Sequence, residues 1–195
     1  MRTYHMLFMQ LFLTTLILSG CTSYAFKAAT IEPPDHAYNV ALMDQNEKEF
    51  TLSQVKGKVA LLFFGYTNCP DVCPATLSDL QIVLKRLGKN ATNVAVLFVT
   101  VDPERDTPER LRRFVSLYDP ATIALTGTTD GLTAVYQAYG AGAQRRDTPE
   151  SALVYMMDHT STITVIDKQG MRRLLIGFGT PIDDIVSDIN ALIAE

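Results

Sequence analysis

Val59 to Phe64 (VALLFF) and Val94 to Val101 (VAVLFVTV) are short, almost unbroken apolar runs. Runs of this length without polar alternation suit strands covered on both faces. Between them the period changes. In residues 75–87 (ATLSDLQIVLKRL), Leu77, Leu80, Val83, Leu84 and Leu87 recur at helical spacing, and Gly88 supplies a stop. Thr107-Pro108 predicts a second helix, with threonine as cap and proline in the first turn, running through Leu111, Phe114, Val115 and Tyr118. Thr122 to Leu125 reads as a short strand. Asp130 reads as the cap of a helix through Leu132, Val135, Tyr136 and Tyr139 that ends at Gly140. Ser161–Asp167 and Met171–Gly177, joined by Lys168-Gln169-Gly170, read as a hairpin, and Thr180-Pro181 opens a last helix with Ile182, Ile185, Ile189, Leu192 and Ile193 on one face. Near the start, VALM and EFTL flank Asp44-Gln45-Asn46 as a short hairpin or pair of edge segments. The polar stretch from Gly142 to Ser151 gives no core signal.

This order, β-α-β-α-β-α-β-β-α after the first hairpin, predicts an α/β domain with a parallel centre and an antiparallel closing pair. It resembles the thioredoxin fold, a mixed central sheet with helices on both faces. The 195 residues, 47% of them hydrophobic, suffice for one core. The net charge of −4 argues against a nucleic-acid partner, which requires a basic face.

The first residues follow other rules. Arg2 precedes a nearly continuous apolar stretch, Met6 to Leu18, and then Leu18-Ser19-Gly20-Cys21. A positive start, a short apolar segment and small residues make a secretory signal over 1–20, too short to span a bilayer comfortably. Leu-Ser-Gly-Cys resembles the lipobox of bacterial lipoproteins, in which the cysteine is lipidated, so Cys21 is expected to carry a membrane anchor. Residues 21–37, with Pro33-Pro34 and no clear period, read as a tether, and 38–195 as the folded domain. The chain would then sit in the bacterial cell envelope, lipid-anchored, with its domain facing the periplasm or the cell exterior.

That reading leaves two thiols, Cys69 and Cys73, in the turn GYTNCPDVCPAT, in an oxidising compartment. They stand where the first central strand meets its helix, the end of an α/β sheet at which ligands bind. A cysteine at the first helical turn meets unpaired N–H groups and the helix dipole, which favour a thiolate. The pair could be a structural disulfide, a redox couple or part of a metal site. His5 belongs to the signal and His36 to the tether, so His159, in MMDHTSTITVID, is the one histidine of the core. In a thioredoxin-like fold its strand adjoins the cysteine strand. Thioredoxin-like oxidoreductases usually carry a cis-proline at about this place; here a histidine stands instead, which favours metal over redox chemistry. Thiolates select soft ions such as Cu(I), while imidazole suits copper and zinc alike. Asp71, between the cysteines, and Asp158, beside the histidine, are candidate oxygen ligands or outer partners. Met156 and Met157 are nearby thioethers with packing as the alternative.

FFGYTNCPDVCP, VDPERDTP and DHTSTITVID, in this order and spacing, resemble the Sco/SenC family over about 35–195. Those are copper-binding, thioredoxin-fold proteins that help assemble the Cu(A) centre of cytochrome c oxidase. The resemblance implies copper, one per chain as Cu(I) or Cu(II), held by Cys69, Cys73 and His159. It implies a metallochaperone rather than an enzyme, with the copper-bearing oxidase subunit or another periplasmic copper carrier as acceptor. The alternative is a thiol–disulfide reductase acting through Cys69 and Cys73 to keep the acceptor's cysteines reduced.

Overall fold

The structure is a computed structural model and describes residues 24–150 and 153–195. The signal stretch, His5 and the lipobox Cys21 lie outside the described residues. In chain order the elements are β1 (Ala29–His36), β2 (Ala41–Asp44), β3 (Glu49–Thr51), β4 (Val59–Gly65), α1 (Val72–Leu87), β5 (Val94–Thr100), α2 (Pro108–Ser116), β6 (Ile123–Thr126), α3 (Thr129–Tyr139), β7 (Ala143–Thr148), β8 (Val154–His159), β9 (Ile163–Ile166), β10 (Met171–Ile176) and α4 (Ile182–Ala194). Among the described residues the strands form an eight-stranded sheet, ordered β1-β10-β9-β4-β5-β6-β2-β3, and a separate β7-β8 ribbon.

The apolar runs explain the centre. Every residue of β4 is buried. β4 pairs parallel to β5, from Val59↔Val94 to Gly65↔Thr100, and antiparallel to β9, from Ala60↔Ile166 to Phe63↔Ile163. Phe98 packs on Phe114 of α2, while Phe64 meets Tyr136 edge-on and Tyr139 at a tilt on α3, so helices cover both faces. Each fully buried Leu or Phe here contributes about 1.5–3 kcal/mol of transfer free energy. Leu62→Ala would open a cavity at a cost of about 2–5 kcal/mol. Because β9 runs antiparallel to β4, its first residue meets the last turn of β4, and the chain just before β9 arrives above the cysteine turn.

Three sequence expectations change. Residues 29–36 are not tether: β1 pairs antiparallel with β10, from Ala29↔Leu175 to His36↔Met171, with an irregularity between Thr30 and Asp35 that contains Pro33-Pro34. A proline gives no N–H to a ladder, so such a strand is confined to a sheet edge, and β1 is the edge. Asp35 is tied to Arg172 of the neighbouring strand by an ion pair. The polar stretch after Gly142 is strand as well: β7 pairs with β8 from Ala143↔His159 to Thr148↔Val154. Its alternation carries no core signal because this ribbon stands off the main sheet. The cap of α3 is Thr128, whose hydroxyl accepts from Gly131 N at 3.2 Å; Asp130 lies in the first turn, where its charge suits the helix dipole. Thr107 caps α2 as its sequence predicts, accepting from Arg110 N at 3.3 Å.

Candidate metal centre

α1 begins at Val72, earlier than its apolar period indicates, so Cys73 is the second residue of its first turn. Cys69 sits in the preceding turn, closed by Cys69 N donating to Tyr66 O at 3.3 Å. Cys73 is fully buried and Cys69 half-buried. The backbone N–H of Cys73 points at Cys69 Sγ, 3.4 Å away. His159, the last residue of β8, brings Nε2 to 3.4 Å from Cys73 Sγ. The two sulfurs and one imidazole nitrogen all lie within 4.8 Å of one another.

The ring is held on several sides. His159 Nδ1 lies 3.0 Å from Thr160 O. A carbonyl only accepts, so Nδ1 carries a proton toward it, and Nε2 faces the sulfurs. Tyr66 meets the ring edge-on, centroids 5.6 Å apart at 87°, and Phe63 does so at 6.4 Å and 70°. An oriented imidazole with its remote nitrogen bonded to an acceptor is the usual arrangement of a metal-ligating histidine.

The two thiols are not equivalent. The hydrogen bond from Cys73, then that with His159 and the amides of Cys73 and Asp71, hold Cys69 far below the ordinary thiol value, at about 4. The same bond from the other side, followed by burial and the Cys69 charge, drives Cys73 strongly upward. Burial pulls His159 down, but its hydrogen bond to Cys69, the Thr160 carbonyl and the Cys69 charge outweigh that and leave it raised. Metal-free, the cluster therefore holds a thiolate, a thiol and a readily protonated imidazole. A soft cation entering it displaces the protons of Cys73 and His159. Two sulfurs and a nitrogen in reach of one point fit copper by donor type.

Neither acidic candidate joins this cluster. Asp158 alternates to the other face of β8 and forms an ion pair with Arg146 at 3.0 Å. Asp71 is exposed and makes no side-chain cap bond; its backbone amide, not its carboxylate, serves Cys69. Met157 packs partly buried against the core, while Met156 takes the opposite side of the strand. His36 ends β1, at the far end of β10 from the cluster.

Asp106 lies in VDPERDTP, the loop that the family resemblance sets beside the cysteines, but its partners are not readable from sequence spacing. It is buried in the loop after β5 and accepts from Thr67 N at 3.1 Å, Thr67 Oγ1 at 2.6 Å and Thr100 Oγ1 at 2.6 Å. Arg110 Nε donates in turn to Thr67 Oγ1 at 2.9 Å, and its guanidinium also bonds Asn68. Burial pushes the Asp106 carboxyl up, while the Thr100 and Thr67 bonds oppose that.

An α/β domain with a dithiol–imidazole cluster at the strand end is a thioredoxin-like scaffold turned toward metal binding. The SCO1/SenC family matches residues 28–194, and the chain belongs to that family. SCO2-like protein RP587 of Rickettsia prowazekii is 35% identical over 129 residues, 66% of this chain and 63% of that protein. The chain thus spans slightly less than two thirds of the length of the curated relatives it matches. Among solved structures, that of Bradyrhizobium japonicum ScoI with copper bound is 35% identical, with a TM-score of 0.73 over 81% of this chain and 99% of that one. Apo Sco1 from Thermus thermophilus is 34% identical, with a TM-score of 0.77 over 88% and 99%.

Proposed function

We propose that this protein is a copper metallochaperone that holds one copper ion through Cys69, Cys73 and His159 and delivers it to the Cu(A) site of cytochrome c oxidase. The observation that carries the reading is the convergence of two sulfurs and one imidazole nitrogen within 4.8 Å. Support comes from a 35% identical relative whose structure has copper bound. Three ligands leave the ion open on one side, so an acceptor dithiol can add before the donor sulfurs leave. The half-buried Cys69 is the sulfur an acceptor reaches first. The acceptor is the copper-bearing oxidase subunit or another periplasmic copper carrier. The protein acts from the cell envelope: residues 1–20 are its signal, Cys21 its lipid anchor, and the domain faces the periplasm or cell exterior. Among the described residues, no helix is long and apolar enough to cross a membrane.

One observation favours a second activity. A cysteine near 4 beside a strongly raised one is the asymmetry that thiol–disulfide exchange uses, so the same pair can reduce an acceptor disulfide. Anaerobic Cu(I) titration of the reduced protein, beside Cys69→Ser/Cys73→Ser and His159→Ala, separates the two. One tight equivalent, lost in the double cysteine variant and weakened in His159→Ala, is the expected result. Absence of stoichiometric binding, with exchange intact, would overturn copper delivery in favour of the reductase.

A further inference from the structure

His159 is borne by the β7-β8 ribbon, which among the described residues shares no ladder with the main sheet. Something other than strand pairing must fix its height over the cysteine turn. At the far end of β8 from His159 the structure supplies a fastening made of Arg105, Asp102 and Tyr155. The Arg105 guanidinium donates from one nitrogen to both Leu153 O and Tyr155 O, each at 3.1 Å. Its Nε donates to Asp102, whose other oxygen accepts from Tyr155 OH at 2.8 Å. Arg105 Cζ also lies 3.5 Å from the Tyr155 ring centroid, and Arg145 of β7 covers that ring at 3.9 Å. Asp102 and Tyr155 are buried, and Arg105 is only 16% exposed. So a loop following β5 grips the β8 backbone through one guanidinium nitrogen shared by two carbonyls, a charge pair and a stacked ring.

We propose that Arg105 is a positioning residue for the metal centre: it latches β8 at Leu153 and Tyr155 and thereby sets His159 against the two sulfurs. Tyr155 and His159 share one face of the strand, about 13 Å apart at ~3.3 Å per residue. Slack at the latch therefore appears as displacement of the imidazole, while Cys69 and Cys73, on the β4–α1 turn, stay where they are. The latch needs arginine in particular. A lysine has a single nitrogen in place of the two that serve Asp102 and the carbonyls separately, and it loses most of the ring stacking. The inference rests on the proposed copper site for its consequence, but the latch itself is testable without metal.

The test uses Arg105→Leu, Arg105→Lys and the milder Tyr155→Phe in the full chain, with two readouts. In metal-free protein, amide exchange of β8 is expected to quicken about ten-fold or more in Arg105→Leu, with β4 and β5 unchanged, less in Arg105→Lys and least in Tyr155→Phe. With Cu(II) ion added, the nitrogen hyperfine signature of His159 is expected to weaken in the same order, toward that of His159→Ala. Wild-type exchange of β8 in Arg105→Lys and Tyr155→Phe, or in a folded Arg105→Leu, overturns the latch whatever metal binds. Faster exchange with an undiminished His159 signature overturns its role in positioning. A wild-type protein with no copper signal at all defeats the copper reading instead, leaving the exchange result to decide the latch.

Discussion

Gly65 leaves open the space that Cys73 occupies: a Cβ built on Gly65 would stand 2.9 Å from Cys73 Sγ and 2.7 Å from Phe98 Cε2. The last residue of β4 must therefore lack a side chain for the second thiol to lie over the strand end. Both neighbours are packed, Phe98 in the core and Cys73 in the first turn of α1, so neither yields freely. Gly65→Ala is predicted to cost about 1–3 kcal/mol of stability through overpacking. It is also predicted to weaken metal binding by moving Cys73 away from His159. Gly177→Ala, whose added carbon meets nothing within 4 Å, is the control. Urea midpoints and a Cu(I) competition titration read the two effects; a Gly65→Ala protein equal to Gly177→Ala in both would refute the overpacking.

The thiol asymmetry predicts a pH profile. Cys69, at about 4 in the metal-free protein, is already thiolate throughout the neutral range. Its alkylation rate by iodoacetamide is predicted to change less than about two-fold between about pH 6 and 8, whereas an ordinary thiol near 8.5 gains almost ten-fold per unit. Because the folded value is lowered, its contribution to stability is present above the unfolded value, ~8.5, and is lost as pH falls through about 4. Cys73→Ser weakens the first cause of the shift and His159→Ala removes another, so each should move the alkylation midpoint upward. Peptide mapping by mass spectrometry assigns the site. A Cys69 rate that climbs ten-fold per pH unit would contradict the arrangement of hydrogen bonds.

The apolar periods made β4, β5, β9 and the four helices legible, because burial of a whole strand or helix face leaves a mark on consecutive residues. The three converging side chains were legible for a different reason: Cys69 and Cys73 frame one turn, and His159 lies shortly before β9, the strand paired with β4. Other features leave no such mark. β1 hides behind Pro33-Pro34, since an edge strand tolerates what a central one forbids. The β7-β8 ribbon is largely solvated, and its polar side chains, Arg145 and Arg146 among them, pair with residues that spacing does not connect. Thr67, a partner of Asp106, and Tyr155, a partner of Arg105, lie 39 and 50 residues away in the chain, so only the folded backbone reveals them.

Asp106 ties the cysteine turn to β5, and its loss should be felt at the site. Asp106→Ala strands Thr67 N, Thr67 Oγ1 and Thr100 Oγ1 without their acceptor, at a predicted cost of about 2–4 kcal/mol. Asp106→Asn keeps one acceptor oxygen and costs less. The pH dependence has a definite sign. Burial raises the Asp106 carboxyl, so its contribution is full below the unfolded value of ~3.9 and declines as pH rises through the folded value. The penalty of Asp106→Asn relative to wild type should therefore shrink as pH is raised from about 3 to 7. Denaturant melts across that range check it, and a penalty that grows with pH would show that the hydrogen bonds to the carboxylate outweigh its burial.

The start of the described chain is fastened by a buried carboxylate far from the metal centre. Asp188 of α4 is fully buried and accepts from Lys27 N at 2.9 Å, Ala28 N at 2.8 Å and Tyr24 OH at 2.8 Å. Phe26 packs partly buried against the core, with Arg173 over its ring at 5.6 Å. The segment read as tether is thus strapped to the last helix from Tyr24 onward, before β1 begins. Asp188→Ala leaves the amides of Lys27 and Ala28 without their acceptor, the Tyr24 phenol keeping Ser187, and is predicted to cost about 2–4 kcal/mol. Asp188→Asn, which keeps one acceptor oxygen but presents an amide to donors, should fall between it and wild type. The local consequence is the sharper test: amides of Lys27 and Ala28 should lose protection, and a protease should cut near Lys27, while α1 and β4 remain protected. An Asp188→Ala protein that keeps both protections would mean that Phe26 and the β1–β10 ladder hold the segment without the carboxylate.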